Sequence, residues 1–273
     1  MEPKSQKELA FLHDLYIATD WGERFANLVD EHVKLPREGR ALYLQAGTGS
    51  HALALQERGG AKLTIVCSDN NEECLELARA KALALHEPAE FKREDSQVLS
   101  FVDEQFDLVL VNNSFIAPAQ VARILTEAVR AAKAGATVAS WLPTASSFGE
   151  FFSIYWEALL NAGVADYGTA VERLIAELPT VSDVERWSEA AGLDDVTSWT
   201  TIEEFDYAAG RDFLNSPLIM EFLLPNWLET IPEDLQQPVR DEIARTIDAE
   251  RHAGEFSLTL KATLVVGKKP RVH

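Results

Sequence analysis

The sequence predicts an α/β protein with a doubly wound, mostly parallel sheet of seven strands. Short apolar segments alternate with amphipathic helical segments through the first half of the chain. The strongest apolar segment, Phe106–Asn113, is continuous rather than alternating, which is typical of a strand that helices cover on both faces. A glycine turn separates the first strand from its helix. Together these observations favour parallel strands joined by helical crossovers.

The first half of the chain comprises an N-terminal helical cap and a cofactor-binding core. Apolar residues at helical spacing predict one or two helices over 8–33, and Pro36 and Gly39 end this pattern, so the cap spans 1–38. The core spans 40–142. Its predicted strands are 40–45, 62–68, 89–95, 106–113 and 136–142, and its predicted helices are 50–59, 71–86 and 118–134.

The rhythm changes after Pro143, where helical material predominates. Within it, one helix has Ser182 as its expected N-cap, Glu185 as the capping-box partner and Gly192 as the C-cap. The remaining predicted elements are helices at 148–162 and 168–176, a strand at 195–205, a mostly helical insertion at 205–253 and a last strand at 256–269. We expect a single domain over 1–273, with the 205–253 insertion covering an acceptor pocket.

The composition limits the partners that the protein can have. Its 273 residues carry a formal net charge of −19 and a pI near 4.7, so the surface repels nucleic acids and anionic lipids. Two cysteines, Cys67 and Cys74, without clustered histidines, indicate no metal site and suit a reducing cytoplasm. No apolar run reaches the roughly 18 residues of a membrane span. We expect a cytoplasmic protein with a small-molecule partner and no nucleic acid; the sequence leaves its oligomeric state open.

Polar residues follow four successive strands of the predicted sheet. Ligands of open parallel sheets bind beyond the carboxyl ends of the strands. The first strand leads to Gly47-Thr48-Gly49, and the second leads to Asp69, which lies 20 residues after Gly49. A carboxylate at this spacing can accept both hydroxyls of a ribose, although Asn70 or Asn71 beside it can equally cap the next helix.

The next two strand ends complete the set. Glu94-Asp95-Ser96 follows the third strand and offers acceptors for an exocyclic amine. Asn112-Asn113 ends the fourth, apolar strand abruptly. Each motif alone is compatible with an ordinary turn, which Glu94-Asp95-Ser96 taken alone favours, but the four together predict a nucleoside pocket.

The four strand ends carry a family resemblance. The segments "YLQAGTGSHALALQERG", "SDNNEECLELARAKA", "REDSQVLSFVDEQFDLVLVNNSF" and "AVRAAKAGATVAS" resemble, in order, the motifs of class I S-adenosylmethionine-dependent methyltransferases. The similarity is to the broad small-molecule group that includes ubiquinone and menaquinone methyltransferases. It covers most of 20–205 and, through the last strand, 256–269. It implies a Rossmann-like methyltransferase fold, methyl transfer from S-adenosylmethionine and S-adenosylhomocysteine as product.

The resemblance also implies roles for the residues at the strand ends. Gly47 and Gly49 would cradle the methionine part of the cofactor, and Asn112 would lie near the methionyl group. Asp69, with Asn70 beside it, would bind the ribose. The adenine would be bound by Asp95 and Ser96.

Two residues depart from the family's glycine motif. Tyr43 occupies the place of an acid that normally helps to hold the cationic end of the cofactor, and Gln45 occupies the place of the first glycine. Tyrosine keeps a hydrogen-bonding hydroxyl but no charge. Losing one charge-assisted contact costs about 1.5–3 kcal/mol, or roughly ten- to a hundredfold in affinity, which weakens a site without destroying it.

A methyltransferase needs few catalytic groups, because the methyl donor is already activated. The protein must position the acceptor, exclude water and sometimes remove a proton. No nucleophile or metal motif is present in the sequence, so no catalytic residue is assigned. His13, Tyr16, Trp21 and Phe213 are the candidate contacts for a small, partly hydrophobic acceptor. Of these, His13 and Tyr16 are the leading candidates to orient or deprotonate it, although packing is the favoured account for most such residues.

Two other functions remain open from the sequence. A nicotinamide oxidoreductase would use Gly47, Gly49 and Ala52 as its fingerprint, but no second nucleotide-binding half follows residue 143. A non-catalytic relative would keep the methyltransferase fold with a weakened site, as the residues at 43 and 45 indicate. If the cofactor assignment is right, Asp69→Ala should abolish most cofactor binding and leave thermal stability nearly unchanged.

Overall fold

The computed structural model describes residues 4–87, 89–250 and 254–271. The chain forms two compact units. The first comprises Met1–Leu142, Val181–Thr200 and Thr263–His273, and the second comprises Pro143–Thr180 and Thr201–Ala262. Residues 1–3 of the predicted cap and 251–253 of the predicted insertion lie outside the described residues.

The N-terminal cap is one helical segment with a widened middle. Helix α1 (Gln6–Leu12) begins at a capping box in which Ser5 and Glu8 exchange hydrogen bonds, and it runs into a π-helical stretch, His13–Trp21, and then into α2 (Gly22–His32). Within the π-helical stretch, His13, Ile17 and Trp21 follow one another every four residues and line the same cavity. π-Helical turns of this kind are frequent at functional sites.

Seven strands form one sheet in the order β3-β2-β1-β4-β5-β7-β6. The pairs β1–β2, β1–β4, β2–β3 and β4–β5 are parallel. This confirms the predicted mostly parallel, seven-stranded, Rossmann-like fold. The strands are β1 (Gly39–Leu44), β2 (Leu63–Asp69), β3 (Glu90–Arg93), β4 (Phe106–Asn112), β5 (Ala132–Pro143), β6 (Asp194–Tyr207) and β7 (Phe256–Lys268). The helices between them in the first unit are α3 (Ser50–Gly59), α4 (Glu72–Leu85), α5 (Pro118–Ala131) and α8 (Val181–Ala190).

The order of the strands reverses at β1, which places three strand ends side by side. Leu44 of β1 pairs with Ser68 of β2 on one side and with Val111 of β4 on the other. The residues that directly follow these positions, including Asp69 and Asn112, therefore share one edge of the sheet. This switch point is where ligands bind in open α/β sheets.

A buried glutamine fixes α3 on the sheet. The side chain of Gln56 donates to the carbonyl of Leu63 at 2.7 Å and accepts from the amide of Ile65 at 2.7 Å. A buried amide is tolerated only when its hydrogen bonds are satisfied, and here both ends bond to the backbone at β2. The helix that follows the glycine turn is thus held in a defined position relative to β2.

Several predicted boundaries differ from the structure. Helix α5 ends at Ala131 and β5 begins at Ala132, because Lys133 binds Asp107 and the amide of Gly135 donates to Lys269; the prediction of a helix to 134 was wrong. Helix α8 begins at Val181, so the predicted N-cap falls inside its first turn. The strand β1 ends one residue before the predicted limit, at Leu44.

The second unit contains most of the helical material predicted after residue 143. Its helices are α6 (Gly149–Asn161), a short 3₁₀ turn (Ala165–Tyr167), α7 (Gly168–Glu177), α9 (Gly210–Asn215), a π-helical turn (Leu218–Leu223), α10 (Leu224–Trp227) and α11 (Glu233–Glu250). Aromatic rings form its core: Phe151 stacks on Trp227 at 4.1 Å between centroids, and Phe213 lies 5.6 Å from Phe151. That the 205–253 insertion covers an acceptor pocket stays a prediction.

Candidate functional site

The glycine turn after β1 repeats an unusual backbone conformation at alternate residues. Gln45, Gly47 and Gly49 have φ angles of +57°, +56° and +77°, all in the left-handed region. Gln45 therefore adopts a left-handed conformation that a glycine would adopt without strain. A β-carbon on Gly49 would lie 2.8 Å from the Cβ of Ala78, so α4 packs directly on the turn there. Residues 45–49 thus form a tight turn between β1 and α3.

Asp69 joins the end of β2 to this turn. One carboxylate oxygen accepts from the amide of Gly47 at 2.8 Å, and the other accepts from the amide of Asn71 at 2.9 Å. Burial raises the pKa of Asp69, and these backbone donors oppose the shift. Asn71 rather than Asn70 caps α4, whereas Asn70 is exposed and its carbonyl accepts from Arg93. Asp69 therefore holds the turn in place, and its role in binding ribose stays a prediction.

Of the two predicted adenine residues after the third strand, Ser96 contacts the glycine turn and Asp95 does not. The side-chain amide of Gln45 donates to the hydroxyl of Ser96 at 3.0 Å. Asp95 is exposed, and its carboxylate accepts from the amide of Gln97 at 2.9 Å. Glu94 is buried and bonds to Ser100, which accounts for it as a structural residue. The residue that departs from the family motif therefore contacts a predicted adenine residue.

The π-helical stretch lies directly over the glycine turn. A β-carbon on Gly47 would lie 2.5 Å from Cε1 of His13, so the imidazole packs against the glycine backbone. Burial lowers the pKa of His13 to about 4; the charge of Asp14 opposes this shift and that of Lys81 adds to it. The imidazole is consequently neutral at pH 7 and weakly basic, which favours a packing role for His13 over a role as a base.

An ionic cluster fastens the same stretch to the turn. The hydroxyl of Thr48 donates to Asp14 at 2.7 Å, and Lys81 of α4 forms an ion pair with Asp14. Lys81 also donates to the carbonyl of Thr48 at 3.1 Å and to the hydroxyl of Ser50 at 2.8 Å. The cap, the turn and α4 therefore meet at one lysine.

A cavity of about 450 Å³ lies beside the turn, within the first unit. Its walls come from the π-helical stretch, α2, the start of α3 and the ends of β1, β4 and β5. Tyr43 and Asn112, two of the predicted cofactor residues, are in its lining. The aromatic residues of the lining are Trp21, Phe25, Tyr43, Phe115 and Trp141, and the rings of Trp21 and Phe115 stack at 5.0 Å. The volume and the apolar walls suit a small organic molecule.

Tyr43 opens a chain of hydrogen bonds along one wall of the cavity. Its hydroxyl lies 3.0 Å from Nδ1 of His51, and Nε2 of His51 lies 3.0 Å from a carboxylate oxygen of Asp30. The other side of Asp30 forms an ion pair with Arg58 at 2.6 Å. Burial opposes ionisation of Asp30, but the hydrogen bonds from His51 and Arg58 lower its pKa to about 2.

The structure does not bring all the predicted acceptor contacts together. Trp21 and His13 line the cavity. Tyr16 is 49% exposed and lies outside the lining, so its predicted role in orienting an acceptor is not supported by its position. Phe213 is fully buried in the second unit, with Tyr207 and Phe256 at ring distances of 5.1 and 5.2 Å, and its role as an acceptor contact stays a prediction.

Sequence reasoning missed the residues that depend on tertiary contacts. Asp14, Asp30 and Lys81 lie on amphipathic helices where charged residues are ordinary, so no local signal marks them. His51 carries one usable signal, because it stands two residues after Gly49, in the first turn of the helix that follows a cofactor turn. Among the residues that the structure describes, no group of three or more His, Cys, Asp or Glu could hold a metal ion.

The turn and the strand ends fit an adenosyl cofactor. Asp69 stands beside the left-handed turn, and Ser96 with Gln45 supplies polar atoms on the side of β3. The cavity adds space next to Tyr43. One contact is at odds with this fit, since the ring of His13 covers the Gly47 backbone that a ligand would approach. The fold and the site together define a Rossmann-like protein built to bind a nucleoside-containing cofactor at its switch point.

Comparisons with known proteins are consistent with this class. Residues 41–135 match the family described as a methyltransferase domain. A demethylmenaquinone methyltransferase of Deinococcus radiodurans is 32% identical over 165 residues, which cover 56% of this chain and 67% of that protein. The chain belongs to the class I S-adenosylmethionine-dependent methyltransferases, and its cofactor is S-adenosylmethionine.

Solved structures agree on the fold at low sequence identity. The YcgJ protein of Bacillus subtilis is 16% identical, with a TM-score of 0.60 over 92% of this chain and 100% of its own. A methyltransferase structure from Bacillus halodurans is 19% identical, with a TM-score of 0.56 over 91% of this chain and 100% of its own. A phosphoethanolamine N-methyltransferase of Haemonchus contortus, solved with S-adenosylmethionine, is 14% identical, with a TM-score of 0.55 over 98% of this chain and 61% of its own. Within the part of the chain that the structure describes, no helix is long and apolar enough to cross a membrane.

Proposed function

We propose that this methyltransferase acts on a small, partly hydrophobic acceptor that binds in the cavity beside the glycine turn. The observation that carries the proposal is the position of this cavity, whose aromatic walls adjoin the turn, Tyr43 and Asn112. An acceptor there would lie next to the site predicted for the methionine part of the cofactor. The lining combines aromatic rings with polar side chains, so the cavity would select ligands by shape and by hydrogen bonding.

The residues proposed to hold the cofactor follow the strand ends. Asp69 would bind the ribose, Ser96 and Asp95 the adenine, and Gly47 and Asn112 the amino-acid part. Gly49, Gln45, Tyr43 and Asn70 complete the proposed set. When bound, S-adenosylmethionine supplies a methyl group that its sulfonium has already activated.

The chain's own residues have correspondingly limited work to do. The aromatic walls exclude water from the cavity and orient a planar acceptor. Asn112, at the end of β4, presents an amide whose oxygen already accepts from the amide of Ser114 at 3.1 Å, so its nitrogen remains a donor toward a ligand. Positioning of this kind contributes to transfer from an activated donor.

The acceptor class can be narrowed by the cavity walls and by the relative. The Deinococcus protein is named for demethylmenaquinone, a ring-bearing acceptor, whereas the Haemonchus protein is named for phosphoethanolamine, a charged amine. The acidic residues Glu23 and Asp30 in the lining would repel a phosphate, and the rings favour an aromatic or otherwise apolar head. We therefore propose an acceptor with a hydrophobic ring in preference to a phosphorylated amine.

A binding and turnover experiment tests this proposal. Calorimetry should give heat at micromolar S-adenosylmethionine and S-adenosylhomocysteine and none with NADH. Transfer of labelled methyl groups should then be measured to a short-chain demethylnaphthoquinol and, as the charged comparison, to phosphoethanolamine. Labelling of the quinol alone supports the proposal, and labelling of phosphoethanolamine alone contradicts it.

A second candidate, a non-catalytic methyltransferase fold, is favoured by one observation. The ring of His13 occupies the face of Gly47 that a ligand would approach. A β-carbon built on Gly47 would lie only 2.5 Å from Cε1 of His13. Binding of neither cofactor nor product by the well-folded protein would support this candidate and exclude the enzyme. The oxidoreductase reading requires binding of NADH in the same experiment.

The location and partners form part of the same proposal. Cys67 and Cys74 are free and buried, and burial raises the pKa of each thiol to about 12. Thiols of this kind suit a reducing compartment, so we propose that the protein works in the cytoplasm. The net charge of −19 supports a small-molecule partner over a nucleic acid.

A further inference from the structure

We propose that Asp30 and His51 let Tyr43 replace the carboxylate that the family's glycine motif normally carries, so that the oxygen of Tyr43 accepts the ammonium group of the cofactor's amino-acid end. The inference rests on the proposed cofactor site and names a subsite within it. Asp30 lies outside the segments that resemble the family's motifs, and His51 lies within one of them but at neither its acid position nor a glycine position. The fold brings Asp30 to the site.

The three side chains form one continuous chain at the cavity wall. The Tyr43 hydroxyl and Nδ1 of His51 are 3.0 Å apart, and Nε2 of His51 and Oδ1 of Asp30 are 3.0 Å apart. All three residues line the cavity, together with Ala46 and Thr48 of the glycine turn. The family's acid at the position of Tyr43 is absent, and Asp30 of α2 supplies a carboxylate that is linked to Tyr43 by two hydrogen bonds.

The direction of the hydrogen bonds follows from the charge of Asp30. Hydrogen bonds from His51 and Arg58 keep this carboxylate ionised, although burial opposes them, so it can only accept. Nε2 of His51 must then donate to it. In the neutral imidazole the remaining nitrogen, Nδ1, accepts, which makes the hydroxyl of Tyr43 the donor. This arrangement leaves the lone pairs of the Tyr43 oxygen available to a cationic donor in the cavity.

Burial strengthens the inner bond of this hydrogen-bond chain. Tyr43 is 4% exposed and the side chain of His51 is 15% exposed, whereas the side chain of Asp30 is 34% exposed, so the bond between Tyr43 and His51 lies in the medium of lower dielectric. The pKa of Tyr43 is raised, mainly by burial, and the negative charge of Asp30 adds to the shift. The negative charge of Asp30 is thus felt at the phenol, in the sense that favours a nearby cation.

A ligand that lacks the ammonium group separates this role from a structural one. S-Adenosylmethionine and S-adenosylhomocysteine carry the amino-acid end, whereas 5′-methylthioadenosine carries only the adenosine and the sulfur. Affinities of the full-length protein for all three should be measured by calorimetry. Tyr43→Phe and Asp30→Asn are each expected to lower the affinity for the two ligands that carry the amino-acid end by roughly three- to tenfold. The affinity for methylthioadenosine should not change.

The chain offers matched controls. Asp20→Asn removes a carboxylate from the same N-terminal helical segment, where Asp20 pairs with Arg24 and is 56% exposed, and it should change none of the three affinities. The double variant of Tyr43→Phe and Asp30→Asn should bind like Tyr43→Phe alone, because the charge of Asp30 acts through the phenol. Tyr43→Glu should make affinity insensitive to Asp30→Asn. Thermal unfolding of each variant checks that it folds.

Each other outcome is also decisive. If the variants lower the affinity for methylthioadenosine as much as that for S-adenosylhomocysteine, the hydrogen bonds among Tyr43, His51 and Asp30 only hold α2 and α3 together, and the inference is wrong. If they lower methyl transfer without changing any affinity, the chain serves the acceptor and the inference is equally wrong. If the wild-type protein binds neither S-adenosylmethionine nor its product, the proposed function fails first and the inference fails with it.

Discussion

The carboxylate of Asp69 accepts a hydrogen bond of 2.8 Å from the backbone amide of Gly47. This bond ties the acid at the end of β2 to the turn at the end of β1. Its second oxygen is bonded to the amide of Asn71 at 2.9 Å, at the start of α4. The residue predicted to bind ribose is therefore also a brace for the turn itself.

Asp69→Ala should consequently reduce stability as well as binding. The sequence alone predicts that this substitution leaves stability nearly unchanged. The structure changes that expectation, because the substitution leaves the amides of Gly47 and Asn71 without their acceptor. The cost should be about 1–3 kcal/mol in the free energy of unfolding. Urea unfolding measures it, with Asp95→Ala as the matched control, since the Asp95 carboxylate is exposed. A stability equal to that of the wild type would show that the brace has no energetic weight.

His13→Ala should uncover the glycine turn. The imidazole lies against Gly47, so a ligand approaching that backbone must displace it. We expect association with S-adenosylmethionine to become several-fold faster, because the cover no longer has to move. Stopped-flow tryptophan fluorescence can follow it, since Trp21 and Trp141 line the adjoining cavity. His32→Ala, which removes an imidazole that stacks on Trp199, is the control; equal rates in both variants would contradict a covering role.

Stability should fall in mildly acidic solution because of the same histidine. In the folded protein the pKa of His13 is about 4, against an ordinary value of 6.5. The unfolded chain therefore binds a proton that the folded protein rejects, and stability is lost as the pH falls from about 6.5 to about 4, by up to about 3 kcal/mol. Urea unfolding at pH 7.5 and pH 5 should show a smaller difference in His13→Gln than in the wild type. The contribution of Asp30, whose pKa is about 2, is lost only below its ordinary value of 3.8.

Substitutions at Gln45 should follow the left-handed backbone rather than polarity. At a φ of +57°, glycine and asparagine are tolerated, whereas a β-branched side chain is strained. Gln45→Gly should stay within about 1 kcal/mol of the wild type, because relief of strain offsets the lost bond to Ser96 and the greater freedom of the unfolded chain. Gln45→Val should cost about 2 kcal/mol more than Gln45→Asn. Chemical unfolding of the three variants tests this order, which would be contradicted if Val proved as stable as Asn.

Gln45→Gly should also tighten the cofactor site. The side chain amide now lies against Ser96, a residue proposed to contact adenine, and glycine restores the room that the family motif has there. We expect the affinity for S-adenosylhomocysteine to rise several-fold, measured by calorimetry. An unchanged or lower affinity would mean that Gln45 contributes a contact of its own.

The local rules predicted most of the first unit. The continuous apolar run at 106–112 and the alternation of strands with helices predicted a parallel sheet, because each strand there is buried on both faces. The turn at Gly47 and Gly49 was recognisable because glycine alone adopts left-handed backbone without strain. Predicted element boundaries were wrong where a side-chain contact determines the boundary. Lys133 lies in a strand rather than a helix because Asp107, on the neighbouring strand, holds it.

By itself, the sequence determined the fold class, the order of the elements, the glycine turn and the acids and amides that follow the strands. Those features depend on periodicity and on spacing along the chain, which are local. The tertiary structure alone decided that His13 covers Gly47, that Lys81 joins the cap to the turn, and that Asp30 reaches Tyr43 through His51. The members of these contacts are separated by 8 to 67 residues along the chain, and only the packing of helices on the sheet brings such positions together.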